Sequence, residues 1–491
     1  MCDQGDNGYR QLDEVRCSVK LRPRKHISAS RCLLLFSVVA IVVSVVVIIT
    51  TTTLLLLIQQ LQDVEHGTFY SYGLIKSNVR ANLYSIKRNS EYTFTNFTYS
   101  ANKVLKDPER VVSCYYDTPN PNDSNQLLPS NIHPHLCTHI NVAFARIVNK
   151  EISLEKCQYK ALLDVVKLKE ANPTLKILLS VGGASNENGF SEMVVNHASR
   201  KVFIKSVKSI LRNYSLDGID LDWEFPAVSI NRGNGTHNRE RQHFSQLLRE
   251  IRSEYIREKR DYLLTVAVAA PRTIVDIAYD VDQLDLYTDY VNVMTYDFHS
   301  FTKYTPFTGL NSPLYSRHDE FLYMATLNIN YTVQMYLSKG LNRNKIVVGI
   351  PTYGHSFTLV NTNNARVGSP ASGFGTLGGM GFVNYPDICL FVSSHREVVI
   401  KRDDEAKVPY LYRGSEWVSY ESPASVAAKA DFIRDRGLRG AMIYSLNADD
   451  FGGVCSAQPG GNIKFPLIRS ITNSLLGSET DTMNDSREME K

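Results

Sequence analysis

Residues 217–226 read DGIDLDWEFP, and this stretch decides how the rest of the sequence is interpreted. It has the length and composition of a buried strand, along which side chains alternate between two faces. Asp220, Asp222 and Glu224 are therefore predicted to point to one face, and the apolar residues between them to a layer of helices. Three stacked carboxylates are costly to bury, which indicates that this strand carries chemistry.

Acid–base catalysis is the favoured interpretation of these carboxylates. Mutual repulsion and partial burial raise the pKa of at least one group, as a general acid requires near neutral pH. Glu224 lies nearest the carboxyl end of the predicted strand and is the natural acid. A calcium or magnesium site is an alternative, because clustered Asp and Glu also bind these ions. A solvated acidic turn is disfavoured by the interleaved Ile, Leu and Trp.

The surrounding sequence alternates short β-rich runs with helical patterns. The candidate strands are residues 111–116, 138–144, 175–181, 218–224, 264–270, 290–296, 346–351 and 440–446. After the fourth strand, the apolar residues at helical spacing are Phe244, Leu247, Leu248, Ile251 and Tyr255. Eight such units predict an α/β fold, a (β/α)8 TIM barrel over residues 110–472, with its active site at the carboxyl ends of the strands.

The seventh predicted strand is followed by residues 352–420, a stretch too long for a plain loop. Its glycine-rich centre and short strand-like runs predict an inserted small α+β subdomain that lines one side of the cleft. The glycines lack the strand-to-helix setting of a phosphate-binding loop. Residues 59–109 are predicted to be a stalk, and residues 473–491 a disordered tail.

Residues 33–58 carry no charge and are almost entirely apolar or hydroxylated. A run of about 26 residues spans a bilayer core of about 30 Å, which predicts one transmembrane helix. A cleaved signal peptide is disfavoured, because the hydrophilic residues 1–32 precede the run. Basic residues are concentrated in that tail, so it is predicted to be cytosolic. The sequence therefore predicts a single-pass type II membrane protein with its catalytic domain extracellular or luminal.

Glycosylation is expected in such a location, and the predicted sites follow the membrane segment. They are Asn96, Asn122, Asn213, Asn234 and Asn330. The formal net charge of +4 over 491 residues is too weak to indicate nucleic-acid binding. No nucleic-acid partner is therefore expected.

DGIDLDWE matches the D-x-x-D-x-D-x-E signature of family 18 glycoside hydrolases, the chitinase family. Other segments resemble the family in order and spacing, namely SCYY, CTHINVAFA, SVGG, MTYDFH, TGLNSPLY, PTYGHSF, GFVNYPDIC and DDFGG. The resemblance covers about residues 110–472 and implies hydrolysis of chitin-type β-1,4 links beside N-acetylglucosamine. It implies a retaining mechanism that uses the substrate's own acetamido group and needs no metal or other cofactor.

The resemblance also assigns roles to residues. Glu224 would protonate the leaving oxygen, and Asp222 would hold the acetamido group, with Asp220 sharing a proton with it. Asp217 would support the loop behind them, and Tyr296 would donate to the acetamido oxygen. The substrate-binding positions would be Tyr115, Phe144, Gly183, Met294, Asp297, Tyr353, His355 and Tyr444.

The family pattern further implies two disulfides, Cys114–Cys137 and Cys389–Cys455. Cys157 is then the odd thiol on the oxidising side of the membrane.

Indole platforms are largely missing, since the chain holds only two tryptophans. The family usually has Trp at three positions that here hold Ala184, Pro119 or a neighbour, and Tyr444. It commonly has Arg where this chain has His355. Sugar rings bind to broad aromatic faces, so weaker binding of long polymers is expected. Two hypotheses follow: an active hydrolase with Tyr444 as the floor of the site, or a chitinase-like lectin with little turnover. The intact carboxylates favour the first.

Overall fold

The computed structural model describes residues 110–119, 126–184, 189–228, 239–455 and 463–477. The cytosolic tail, the membrane segment and the stalk predicted from the sequence lie outside these residues. Within the described residues, every helix falls short of the length and apolar character that a membrane span requires.

Eight parallel strands form a closed barrel, as the sequence predicts. They are β1 (Val111–Asp117), β2 (His139–Val148), β4 (Lys176–Gly183), β5 (Gly218–Trp223), β6 (Leu263–Ala269), β7 (Tyr290–Met294), β8 (Ile346–Pro351) and β15 (Gly440–Tyr444). The order around the barrel is β1-β15-β8-β7-β6-β5-β4-β2, and pairing of β1 with β2 closes it. A short strand that the sequence did not indicate, β3 (Glu151–Ser153), forms a hairpin with β2.

Helices cover the outside of the barrel in the described part of the chain. They are α1 (Lys156–Val166), α2 (Leu168–Ala171), α3 (Phe190–Val194), α4 (His197–Asn213), α5 (Glu240–Arg257), α6 (Arg272–Ala278), α7 (Val281–Tyr287), α8 (Ile329–Ser338), α10 (Pro423–Asp435) and α11 (Pro466–Leu476). Single 3-10 turns occupy Pro129–Asn131, Met324–Thr326 and Arg343–Lys345. The last helix extends beyond residue 472, where the sequence placed the end of the barrel.

Helix α5 shows why the pattern predicted this packing. The five apolar residues at helical spacing, from Phe244 to Tyr255, are all buried. Phe244 meets the indole of Trp223 edge to face at 5.8 Å, and Phe190 stacks on the indole at 5.2 Å. Trp223 therefore points outward to the helices, as alternation along β5 predicted. Because side chains alternate along the strand, the carboxylates point towards the barrel interior.

The predicted α+β subdomain follows β8. It contains β9 (Tyr353–Leu359), β10 (Ala371–Phe374), β11 (Phe382–Asn384), α9 (Tyr385–Ser394), β12 (Val399–Asp403), β13 (Val408–Arg413) and β14 (Glu416–Ser419). The strands form one antiparallel sheet. Part of its core is a separate apolar cluster around Phe357 and Trp417, and the Trp417 indole N–H donates to the carbonyl of Ala365 at 3.0 Å. Other buried residues of the subdomain, such as Val383, Leu411 and Val418, belong to the same cluster as the barrel core.

Both predicted disulfides are present. Cys114–Cys137 joins β1 to the segment before β2, and Cys389–Cys455 ties α9 to the segment after β15. Among the described residues Cys157 has no disulfide partner.

Of the predicted glycosylation sites, Asn96, Asn122 and Asn234 lie outside the described residues. Asn213 is exposed at the end of α4. Asn330 is half-buried, and its side-chain oxygen accepts a hydrogen bond from the Arg436 guanidinium at 3.0 Å.

Candidate active site

Asp220 occupies the centre of the barrel and is saturated with hydrogen-bond donors. It accepts from the hydroxyls of Tyr115 (2.7 Å), Ser180 (2.7 Å) and Thr265 (2.6 Å) and from the Asn292 amide (3.2 Å). Burial raises the pKa of Asp220, while these four donors hold the rise in check. Because both carboxylate oxygens already bind protein donors, Asp220 is a poor metal ligand. This disfavours the calcium or magnesium alternative.

Asp222 lies two residues further along β5 and is also buried. Within the described residues it lacks the set of hydrogen-bond donors that surrounds Asp220. Its Oδ1 atom is buried and has no hydrogen-bond partner within the described part of the chain. Burial, then the charges of Glu224 and Asp220, raise the pKa of Asp222 well above its ordinary value. A buried, unpartnered oxygen of this kind is poised to accept a donor from a ligand.

Glu224 follows β5 directly and is half-buried. Burial raises its pKa to about 7, and the negative charge of Asp297 adds to the rise. The sequence predicted a raised pKa for at least one of these carboxyls, and burial raises the pKa of all three. Glu224, with a pKa of about 7, carries a proton for part of the time near neutral pH and can donate it.

Asp297 holds the opposite side of the site. Its Oδ1 atom accepts from the Tyr353 hydroxyl at 2.6 Å and pairs with His355 Nε2 at 2.7 Å. The backbone N–H of Asp297, at a φ of 56°, donates to the Asn311 side chain at 2.9 Å. His355 thus contacts the exposed carboxylate that lies beside Glu224.

Tyr444, at the end of β15, is the centre of an aromatic wall. Its ring lies 5.8 Å from Tyr115, 6.1 Å from Tyr296, 6.2 Å from Tyr353 and 6.4 Å from Phe144. The rings of Tyr296 and Phe144 are stacked relative to Tyr444, while that of Tyr353 meets it edge to face. The structure therefore brings these five predicted site residues into one cluster.

The remaining predicted wall residues join the same cluster. Met294 packs against its buried part. Gly183 has a φ of 84°, and a Cβ atom there would come within 2.9 Å of the Phe144 ring. Glycine at this position lets the ring reach the cleft.

Tyr296 is half-buried in this wall. Burial, then the charges of Asp222 and Asp297, raise the pKa of its phenol well above the ordinary value. The hydroxyl keeps its proton and remains a hydrogen-bond donor. It lies 3.8 Å from the Met442 sulfur, a weak acceptor that an incoming carbonyl oxygen can replace.

Asp217 does not belong to this site, which corrects its predicted place among the catalytic residues. It precedes β5 at the opposite, amino-terminal end of the strand. Its carboxylate binds Lys169 at 2.8 Å and Lys176 at 3.5 Å and accepts the backbone N–H of Ile177 at 2.8 Å. These contacts join β5 to its neighbour and satisfy the charge, so Asp217 is structural.

Sequence reasoning missed several residues of the site. Ser180 and Thr265 pair in register with Asp220 on the two neighbouring strands, and Asn292 lies on the next strand. The alternation applied to β5 finds them once the strand order is known. Phe382, which stacks on Tyr353 at 4.2 Å, belongs to the inserted subdomain and carries no such signal.

The family model for glycosyl hydrolases family 18 matches residues 111–449, which hold the whole of this site. The chain belongs to glycosyl hydrolase family 18. Mouse chitotriosidase-1 is 38% identical over 368 residues, covering 72% of this chain and 75% of that protein.

Solved structures of family 18 members superpose on the described fold. The Group IV chitinase of Ostrinia furnacalis gives a TM-score of 0.69 at 31% identity, covering 75% of this chain and all of that one. Human YKL-39, described as a pseudo-chitinase with retained chitooligosaccharide binding, gives 0.68 at 34% with the same coverage. The relatives thus include both active enzymes and a binding protein.

Proposed function

We propose that this protein hydrolyses β-1,4 links beside N-acetylglucosamine in chitin-type oligosaccharides. The observation that carries the proposal is the pairing of Asp222, buried with an unpartnered oxygen, with Glu224, whose pKa lies near 7. A binding site alone has no need of a proton donor beside a buried acceptor. The active chitinases among the relatives support the same conclusion.

In the first step the Glu224 carboxyl gives its proton to the glycosidic oxygen as the bond from that oxygen to the anomeric carbon breaks. The acetamido carbonyl oxygen of the same sugar bonds to the anomeric carbon from the other face, forming an oxazolinium ion. Asp222 accepts the acetamido N–H and stabilises the positive charge that develops. Tyr296 donates to the carbonyl oxygen and aligns it. The oxygens of Asp220 are held by its four donors, so this carboxylate acts on Asp222 through its charge rather than through a shared proton.

In the second step Glu224, now a carboxylate, takes a proton from water as the water oxygen attacks the anomeric carbon. The bond to the acetamido oxygen breaks and the acetamide re-forms. Two inversions at one carbon leave the product with its original configuration, so the reaction is retaining. Tyr444 supplies the floor beneath the reacting ring.

A lectin is the second candidate function, and the positions of the two tryptophans favour it. Trp223 and Trp417 are both buried away from the cleft, so Tyr and Phe rings form its aromatic wall. A smaller aromatic face gives weaker stacking. YKL-39 is a relative that binds without the chitinase activity of the family.

We also propose that residues 33–58 anchor the barrel to a membrane, with residues 1–32 cytosolic. The charge asymmetry around the segment supports this orientation. The two disulfides support an oxidising compartment for the barrel. Protease protection of intact cells or vesicles tests the orientation, which predicts that only the amino-terminal tail is cleaved from the cytosolic side.

The experiment for the catalytic proposal is hydrolysis of a fluorogenic chitotrioside by the full chain, purified in mild detergent. We expect turnover by the unaltered protein and a loss of at least about a hundredfold in Glu224→Gln. Glu397→Gln, at an exposed position of the subdomain, is the matched control and should retain full activity. Binding of chitotriose with no turnover in the unaltered protein would contradict the hydrolase and establish the lectin.

A further inference from the structure

Asp117 ends β1 at the same face of the barrel as the catalytic carboxylates, and neither acid–base step uses it. Its backbone is held by Asn447, which accepts the Asp117 N–H and donates to the Asp117 carbonyl, each at 2.9 Å. The Tyr444 hydroxyl lies 3.5 Å from its Oδ1 atom. The carboxylate is therefore fixed beside the ring that forms the floor of the cleft.

The charge of Asp117 lacks a fixed counter-ion in the described part of the chain. The groups that act on its carboxylate are hydroxyls, those of Ser445 and Tyr444. Burial raises the pKa of Asp117 to about 6, so the group is mostly ionised at pH 7. Asp217 and Glu421, by contrast, are paired with lysines. A half-buried carboxylate without a cation is stabilised by an incoming positive charge.

Asp117 lies beside the part of the cleft in which the reacting sugar is proposed to bind. The Tyr444 hydroxyl lies within range of the charges of Asp117, Asp222 and Glu224. Asp117 and Tyr444 end neighbouring strands, β1 and β15. Asp222 lies on β5, across the barrel, and Glu224 directly follows that strand. Asp117 therefore lies on the β1 side of a sugar that stacks on Tyr444, within reach of the unit next to it.

We propose that Asp117 binds the ammonium group of a glucosamine unit next to the reacting sugar, so that the preferred ligand is a partly deacetylated oligosaccharide. This inference rests on the proposed function, because the acetamido-assisted reaction fixes the reacting sugar as N-acetylglucosamine. An N-acetyl group is neutral and offers Asp117 one amide donor. The amine left by deacetylation is a cation with three donors, which a half-buried carboxylate binds more strongly.

The test is calorimetric titration of the full chain carrying Glu224→Gln, which stops turnover. The ligands are fully acetylated chitotetraose and the positional isomers that each carry one free amine. We expect one isomer to bind about tenfold more tightly than the acetylated ligand. Adding Asp117→Asn or Asp117→Ser should abolish that preference, so that the isomer and the acetylated ligand bind equally within about twofold, while Asp117→Glu should retain it.

Asp435→Asn removes an exposed carboxylate of α10 and controls for the general attraction of a cationic sugar to an acidic protein. It should leave the preference intact. Equal binding of all isomers, or a preference that persists in both the Asn and Ser variants, would overturn the role of Asp117 and leave the hydrolase proposal standing. Failure of every ligand to bind would instead overturn the proposed function itself.

Discussion

The two ends of strand β5 carry carboxylates in opposite circumstances. At the amino-terminal end, Asp217 pairs with two lysines and accepts a backbone N–H. At the carboxyl end, Asp222 is buried with an unpartnered oxygen, and Glu224 has a pKa of about 7. A carboxylate paired with lysines thus lies at one end of this six-residue strand, and two carboxylates without such partners lie at the other end.

The difference separates stability from function. Paired and hydrogen-bonded charges hold a fold together, whereas unpaired buried acids destabilise it unless a ligand uses them. In a (β/α)8 barrel the amino-terminal face stabilises the fold and the carboxyl-terminal face carries the chemistry. Asp217 and Asp222 are the same residue type at the two ends of one strand, so only the end of the strand distinguishes their roles.

The largest effect is expected at the catalytic end. Asp222→Asn removes the carboxylate that stabilises the developing positive charge, so kcat/KM should fall by about 10²–10³-fold. The free energy of unfolding should not fall, because an amide is less costly to bury than a charge. Steady-state kinetics and urea unfolding measure both. The exposed Asp261→Asn should change neither, and a loss of stability in Asp222→Asn with kinetics intact would reverse our assignment.

The opposite end gives the complementary result. Asp217→Asn loses the ion pairs with Lys169 and Lys176, and the free energy of unfolding should fall by about 1–2 kcal/mol. Since Asp217 is remote from the cleft, kcat and KM should stay within about twofold. Urea unfolding followed by tyrosine and tryptophan fluorescence checks the first expectation. If Asp217→Asn abolished turnover while remaining fully folded, the contrast between the two ends would fail.

The pH dependence follows from the raised pKa of Glu224, about 7 against an ordinary 4.5. The reaction needs the protonated acid, so activity should fall about tenfold per pH unit above 7. The folded state should also lose stability as the pH rises from 4.5 to 7, because the unfolded carboxyl ionises first. Unfolding midpoints at several pH values should show this loss in the unaltered protein and less of it in Glu224→Gln. Activity that stays constant above pH 7 would contradict the assignment of Glu224 as the general acid.

The smallest effect concerns the floor of the cleft. Tyr444→Trp restores a wider stacking face and should tighten binding of chitooligosaccharides by about two- to fivefold. Calorimetric titration in the Glu224→Gln background measures it, and Tyr410→Trp, in the inserted subdomain, is the matched control. Weaker binding by Tyr444→Trp would show that Tyr444 is not beneath a sugar.

Much of the barrel follows from local pattern. All eight predicted strands are present with shifts of a few residues at their ends, and α5 buries the predicted face. Strict alternation along β5 placed Trp223 and the carboxylates on opposite faces, which local sterics alone determine. The resemblance to family 18 added the two disulfides, which spacing cannot supply.

The rest depends on which strands are neighbours. The four donors around Asp220 come from four different strands, and only barrel closure brings them together. The misplacement of Asp217 has a different origin. The family signature includes this residue, although the predicted strand 218–224 already puts it at the amino-terminal end. Asp117 gives no signal until β15 places Tyr444 against it.

The central claim is that the acetamido group of the substrate acts as the nucleophile at the carboxyl end of β5. Proton NMR of chitotetraose during digestion by the full chain tests it most directly, because fresh reducing ends can be observed before they equilibrate. We predict that the β-anomer appears first. First appearance of the α-anomer, or no cleavage at any enzyme concentration, would contradict the account.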